Sequence, residues 1–170
     1  MIKKTRKLVL CAIFSALASV ILYLSSIWPT GQIGFAAAAS LFVAAAVIEA
    51  GALYGLYVYL VSSALALLLI PNRSPLYLYI SFFGYYPILK SLTERLRSVP
   101  LQWAVKLLVF NISLSVFWFV IKELIFDFSG VNVHIALVYL GGSAVFALFD
   151  YGFTKAIWFY INRISKRGNV

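Results

Sequence analysis

Lys3-Lys4-Thr5-Arg6-Lys7 runs directly into the apolar stretch Leu8 to Tyr23, and this junction decides how the chain folds. Lys3, Lys4, Arg6 and Lys7 stand before about twenty mostly apolar residues, the length that crosses a hydrocarbon core of roughly 30 Å. Positive charge beside a span stays in the cytoplasm, so the N-terminus is expected inside. Within the run, Ala12-Ile13-Phe14-Ser15-Ala16-Leu17-Ala18-Ser19 repeats small residues at spacing four in two registers, Ala12/Ala16 and Ser15/Ser19. Small residues so spaced leave a flat strip that another backbone can approach closely. Such a strip serves either a separate partner or packing inside its own bundle. A secretory leader fits less well, although Ala36 to Ser40 has the small residues of a cleavage region. The apolar run exceeds a leader's core of about 7–15 residues, and Trp28-Pro29-Thr30-Gly31 intervenes. A retained helix is expected.

Composition points the same way. Of 170 residues, 64% are hydrophobic and 11% charged, against the roughly 25% charged that a soluble domain carries. A water-facing surface cannot be built from that supply, and the mean hydropathy is +0.98. An integral membrane protein is expected, all-α and in one domain. The net charge of +9 falls mostly in three clusters between apolar runs, Lys3 to Lys7, Lys90 to Arg97 and Arg163 to Arg167. That pattern suits membrane lipid headgroups facing cytoplasmic loops, not nucleic acid.

Cys11 and His134 are the sole cysteine and histidine, so no intrachain disulfide is possible and no metal centre or cofactor is expected. The chain lacks a GxxxxGK[ST] phosphate loop, a GxSxG elbow and an HExxH motif, so nothing marks it as an ATPase or an enzyme. Asp150 or Glu49 would have to be the acid of any intramembrane enzyme.

In chain order, a first helix over about Lys7 to Ile27 ends at the interfacial Trp28 and its Pro-x-Gly turn. Apolar runs follow over about Ile33 to Ile48 and Leu53 to Ile70, bent into a hairpin near Glu49 to Gly51. A fourth run, about Leu76 to Leu92, holds Phe82-Phe83-Gly84-Tyr85-Tyr86-Pro87, where Pro87 leaves the Phe83 carbonyl unpaired and predicts a kink. Lys90 to Gln102 reads as a polar loop in which Glu94 and Arg97 can pair. The fifth run covers about Trp103 to Phe126 and the sixth about His134 to Ile161.

Six transmembrane helices with N- and C-termini cytoplasmic satisfy the charge pattern. Lys3, Lys4, Arg6, Lys7, Lys90, Arg95, Arg97, Arg163, Lys166 and Arg167 then lie inside, and Arg73 alone in the outer loops.

Polar groups at membrane depth need a partner or a task. At 1.5 Å rise per residue, Asp150 sits slightly inside the midplane, level with Asn111, Tyr85 and Tyr86. Asp150 is expected to bond Asn111, a tyrosine hydroxyl or both, with Lys106 as a second partner. A proton relay is the functional counterpart of that structural reading. A second polar group gathers at the outer end: Gln32, Asn72, Arg73, Lys122, Glu123, Asp127, Asn132 and His134, beside Trp28, Tyr77 and Trp118. Glu123 and Asp127, four apart, repel and would accept a cation such as Arg73. Charges mixed with flat aromatics suit a small polar, heterocyclic ligand. Solvated loop ends and an aromatic belt are the plainer account of the same residues.

A basic N-terminus leading into a first helix with AIFSA, in a six-helix chain of this length, resembles the substrate-binding S components of energy-coupling factor (ECF) transporters. The resemblance implies that Ala12 and Ala16 dock onto a transmembrane coupling subunit driven by two cytoplasmic ATPases. It also implies a vitamin-like, water-soluble small-molecule solute bound at the extracellular side, in a pocket from outer loops and helices four to six. The outer polar group named above falls there. No residue signature of a particular vitamin is present, and Met1-Ile2-Lys3 lacks the pattern of the cobalt and nickel members. The alternative is a non-transporting scaffold subunit resembling the cell-shape membrane protein family. A lipid-acting intramembrane enzyme is a third reading, which requires a lateral opening near Asp150.

Overall fold

The computed structural model describes residues 2–28, 31–71, 73–117 and 135–163. Among the described residues there are helices and turns but no strands. Helix α1 spans Ile2–Ile27, α2 Gln32–Ala50 and α3 Ala52–Leu69. The fourth apolar run is divided into α4, Ser74–Leu78, a π-helical turn, Tyr79–Phe83, and α5, Tyr86–Thr93. Helix α6 covers Val99–Val116 and α7 covers Ile135–Arg163.

Helices α1, α2 and α3 form one closely packed unit. Gly51, with φ 108°, is the single residue between α2 and α3 and donates its N–H to Val47 O at 3.0 Å. A side chain at that φ would be strained, which is why the chain can reverse so tightly at this position. Alanines at 36, 39, 44, 45 and 46 on α2 are buried, so neighbouring backbones come near. Gly55 of α3 lies where any Cβ would run into Val47. Lys7 of α1 bonds Ala50 O at 3.2 Å and lies 5.2 Å from the Tyr54 ring centroid, fastening the start of α1 to the α2–α3 turn.

The break in the fourth run falls at Gly84–Tyr85, just ahead of Pro87. Gly84 N–H reaches back five residues to Tyr79 O at 2.7 Å, and the Tyr59 hydroxyl donates to Ile80 O at 3.1 Å. Pro87 then sits in the first turn of α5, where its missing N–H costs nothing. The expected kink is therefore a π turn followed by a restart, not a bend in a continuous helix.

Helices α6 and α7 run antiparallel, with Ser115 against Tyr139, Phe110 against Phe146 and Lys106 against Asp150. Helix α6 begins at Val99, with Pro100 in its first turn, inside the stretch expected to be loop. A second core of Phe82, Tyr86, Phe146 and Phe153, with Ala44, lies where the π turn, α5 and α7 meet α2.

By length and composition, α1, α2, α3, α6 and α7 are apolar enough to cross a membrane. The divided fourth run is not among them. Large apolar side chains face outward along these helices, Leu68 at 81% and Leu148 at 74% exposure, which suits a lipid solvent and not water. The α1 start, the α2–α3 turn, the α5–α6 turn and the α7 end share one end of the bundle. Lys7 meets Ala50 there, and Tyr160 meets Glu49 at 3.4 Å.

Candidate functional site

Two features stand one helical turn apart along α6 and α7: a buried ionic quartet, which α5 completes, and an aromatic cavity, which the π turn completes.

The quartet joins Lys90 of α5, Lys106 of α6, Asp150 of α7 and Glu94 at the end of α5. Lys90 and Lys106 side chains are 3% and 5% exposed and Asp150 is 6% exposed, whereas Glu94 is 47% exposed. Lys90 donates to Asp150, to Glu94 at 2.9 Å and to Thr154 Oγ1 at 2.9 Å. Lys106 reaches Asp150 Oδ2 at 3.2 Å and Glu94 at 3.5 Å, and lies 5.8 Å from the Trp103 ring centroid. The Tyr86 hydroxyl donates to Asp150 as well. Two ammonium groups thus share two carboxylates, and the formal charge of the cluster is zero. Such balance is what permits ions at this depth. Because Tyr86, Lys90 and Lys106 all donate to Asp150, its carboxylate is held as a structural acceptor between three helices.

Of the residues expected around Asp150, Tyr86 and Lys106 contact it. Asn111 does not; its Nδ2 donates to Leu107 O at 2.8 Å on its own helix, which satisfies it without a partner across the bundle. Tyr85 pairs with Ser113 on α6 instead. Lys90, expected among the loop cations, is buried in the quartet. Glu94 pairs with Lys90 and Lys106 rather than as an isolated turn with Arg97. The signal for Lys90 lay in the sequence: Tyr86, Lys90 and Glu94 recur every four residues on one face of α5.

The cavity, about 250 Å³ and partly open, lies between the start of α2, the π turn, α6 and α7. Phe82 and Phe83 from the π turn, Phe110 from α6 and Phe117 just after it, and Phe146 and Phe149 from α7 line it, with Ser81 and Ser113 as its hydroxyls. Phe110 and Phe146 stack at 4.7 Å. Gly142 stands where a Cβ would come within 3.0 Å of Leu114, so α7 can lie close against α6 along this wall. Among the described residues, no charged side chain lines the cavity.

The expected outer group is only partly visible. Asn72, Trp118, Lys122, Glu123, Asp127, Asn132 and His134 lie outside the described residues. Trp28 is 63% exposed, Arg73 is exposed, and Gln32 and Tyr77 are half-buried. All four stand at the end of the bundle opposite the quartet, and none of them lines the cavity.

On α1 the two small-residue registers separate. Ser15, Ala18 and Ser19 are buried against the bundle, while Ala12 and Ala16 face outward and exposed. Among the described residues, no group of His, Cys, Asp and Glu is placed to hold a metal ion. Searches of protein-family models, curated proteins and solved structures find no match to this chain.

Proposed function

We propose that the chain is the solute-capture membrane subunit of an importer of the ECF type, taking a small solute from the extracellular side of a cell membrane. In this reading the divided fourth run is the sixth crossing. The shared end that carries Lys4, Arg6, Arg95, Arg97 and Arg163 then faces the cytoplasm. The cavity sits in the outer half of the bundle and the quartet in the inner half.

The observation that carries the reading is the aromatic cavity itself. A scaffold subunit has no use for 250 Å³ of space walled by phenylalanines from three separate elements. The outward-facing Ala12 and Ala16 add support, since they leave a flat face free for a coupling subunit that two cytoplasmic ATPases would drive.

The test is to purify the full chain from its native membrane in mild detergent, denature it, and analyse the released small molecules by mass spectrometry. A stoichiometric solute that disappears when Val145→Trp fills the cavity edge is the expected outcome. Release of membrane lipids alone, from both forms, favours the scaffold reading.

A further inference from the structure

We infer that the cavity selects an uncharged one- or two-ring heteroaromatic molecule that presents an N–H edge, and not a charged or carboxylate-bearing solute. The inference rests on the solute-capture reading and narrows its ligand.

Three observations lead there. First, one side of the cavity is a continuous aromatic surface: Phe110 of α6 and Phe146 of α7 stack at 4.7 Å, and Phe82 of the π turn packs edge-on to both at 5.3 and 5.7 Å. Aromatic pairs gain from offset or edge-to-face contact, so a planar ring fits these walls better than a flexible chain does. Second, among the described residues no cation or anion lines the space. A charged ligand would forfeit its hydration with nothing in return.

Third, the two hydroxyls are already oriented. Ser81 donates its proton to Leu78 O at 3.3 Å, and Ser113 donates its own to Val109 O at 2.8 Å. With the Ser113 proton committed, the Tyr85 hydroxyl is the donor in their pair. A hydroxyl oxygen accepts through two lone pairs. Ser81 therefore keeps two acceptor sites and Ser113 one, and neither has a proton to offer. A ligand N–H meets that demand, whereas a carbonyl or ether oxygen finds no donor in these two hydroxyls.

The experiment titrates indole, benzofuran and indole-3-acetate into the detergent-purified full chain and follows each by ligand-observed NMR. Indole should bind saturably. Benzofuran, with an ether oxygen in place of the N–H, should bind about fivefold more weakly, the weight of one hydrogen bond. Indole-3-acetate should not bind detectably. Ser81→Ala should shrink the indole-to-benzofuran ratio, and Val145→Trp should abolish indole binding. Equal affinity for indole and benzofuran overturns the N–H rule. Preference for indole-3-acetate overturns the ligand class but leaves solute capture standing. An indole signal untouched by Val145→Trp places binding elsewhere and overturns the assignment to this cavity. Failure of all three probes, with only lipid released from the native protein, overturns the capture reading along with the ligand class.

Discussion

The ring of Phe82 lies against the ring of Tyr86, one helical turn further on, with centroids 5.0 Å apart and planes tilted by 36°. Phe82 walls the cavity, and the Tyr86 hydroxyl holds Asp150, so one ring contact connects the cavity to the ionic quartet. The π turn makes this possible. It brings Phe82 and Phe83 to the cavity, and the restart at Tyr86 then aims Tyr86 and Lys90 at α7.

Asp150→Leu should destabilise the protein by about 3–5 kcal/mol, because Lys90 and Lys106 stay buried with only half-exposed Glu94 to balance them. The paired change Lys106→Met with Asp150→Leu restores neutrality and should recover most of that loss. Thermal unfolding of both variants in one detergent checks the order. Equal stability of Asp150→Leu and the parent sinks the quartet as a structural element.

Gly84→Ala should cost about 1–3 kcal/mol, since its Cβ would meet the Tyr59 ring and come within 3.0 Å of Tyr79. Gly152→Ala is the control. Nothing stands within 4 Å of a Cβ there, and replacing a helical glycine should be neutral or stabilising by up to about 1 kcal/mol. Apparent melting temperatures that move in parallel for the two variants contradict the packing around the π turn.

Tyr59→Phe removes the hydroxyl that caps Ile80 O and should cost about 1 kcal/mol. Hydrogen exchange is the direct readout. Amides of the π turn, Tyr79–Phe83, should exchange faster in the variant, while those of α2 stay unchanged. Uniform acceleration across the chain would instead mean that Tyr59 serves general packing.

On α1, Ser15→Leu and Ser19→Leu should destabilise the chain, because each side chain is nearly fully buried, at 2% and 6%. Overpacking of this kind costs about 1–3 kcal/mol. Ala12→Leu and Ala16→Leu, on the exposed register, should leave unfolding in detergent unchanged. If the alanine pair is as damaging as the serine pair, the outward face has been misplaced.

Much of this architecture is legible in the residues. The apolar runs give the long helices, Glu49 to Gly51 gives the hairpin, and Asp150 announces by its depth that it needs donors. What escapes is set by contacts between elements. Lys90 reads as a loop cation because it closes an apolar run, and only the antiparallel register of α6 and α7 brings Lys106 and Asp150 to it. Asn111 looks like an ideal partner at the right depth, yet a carbonyl four residues back on its own helix is the nearer acceptor. The π turn has no propensity signature, so Pro87 marked the disturbance without giving its form. The cavity was least accessible, since it is built from the phenylalanines that also read as ordinary core.

The most direct measurement is affinity purification of the full chain from its native membrane in mild detergent, run beside the Ala12→Leu/Ala16→Leu variant. A solute-capture subunit should bring down a transmembrane coupling subunit with two ATPases, and the double variant should lose them while remaining folded. Recovery of wall-synthesis proteins, or of the same partners with both forms, would contradict it.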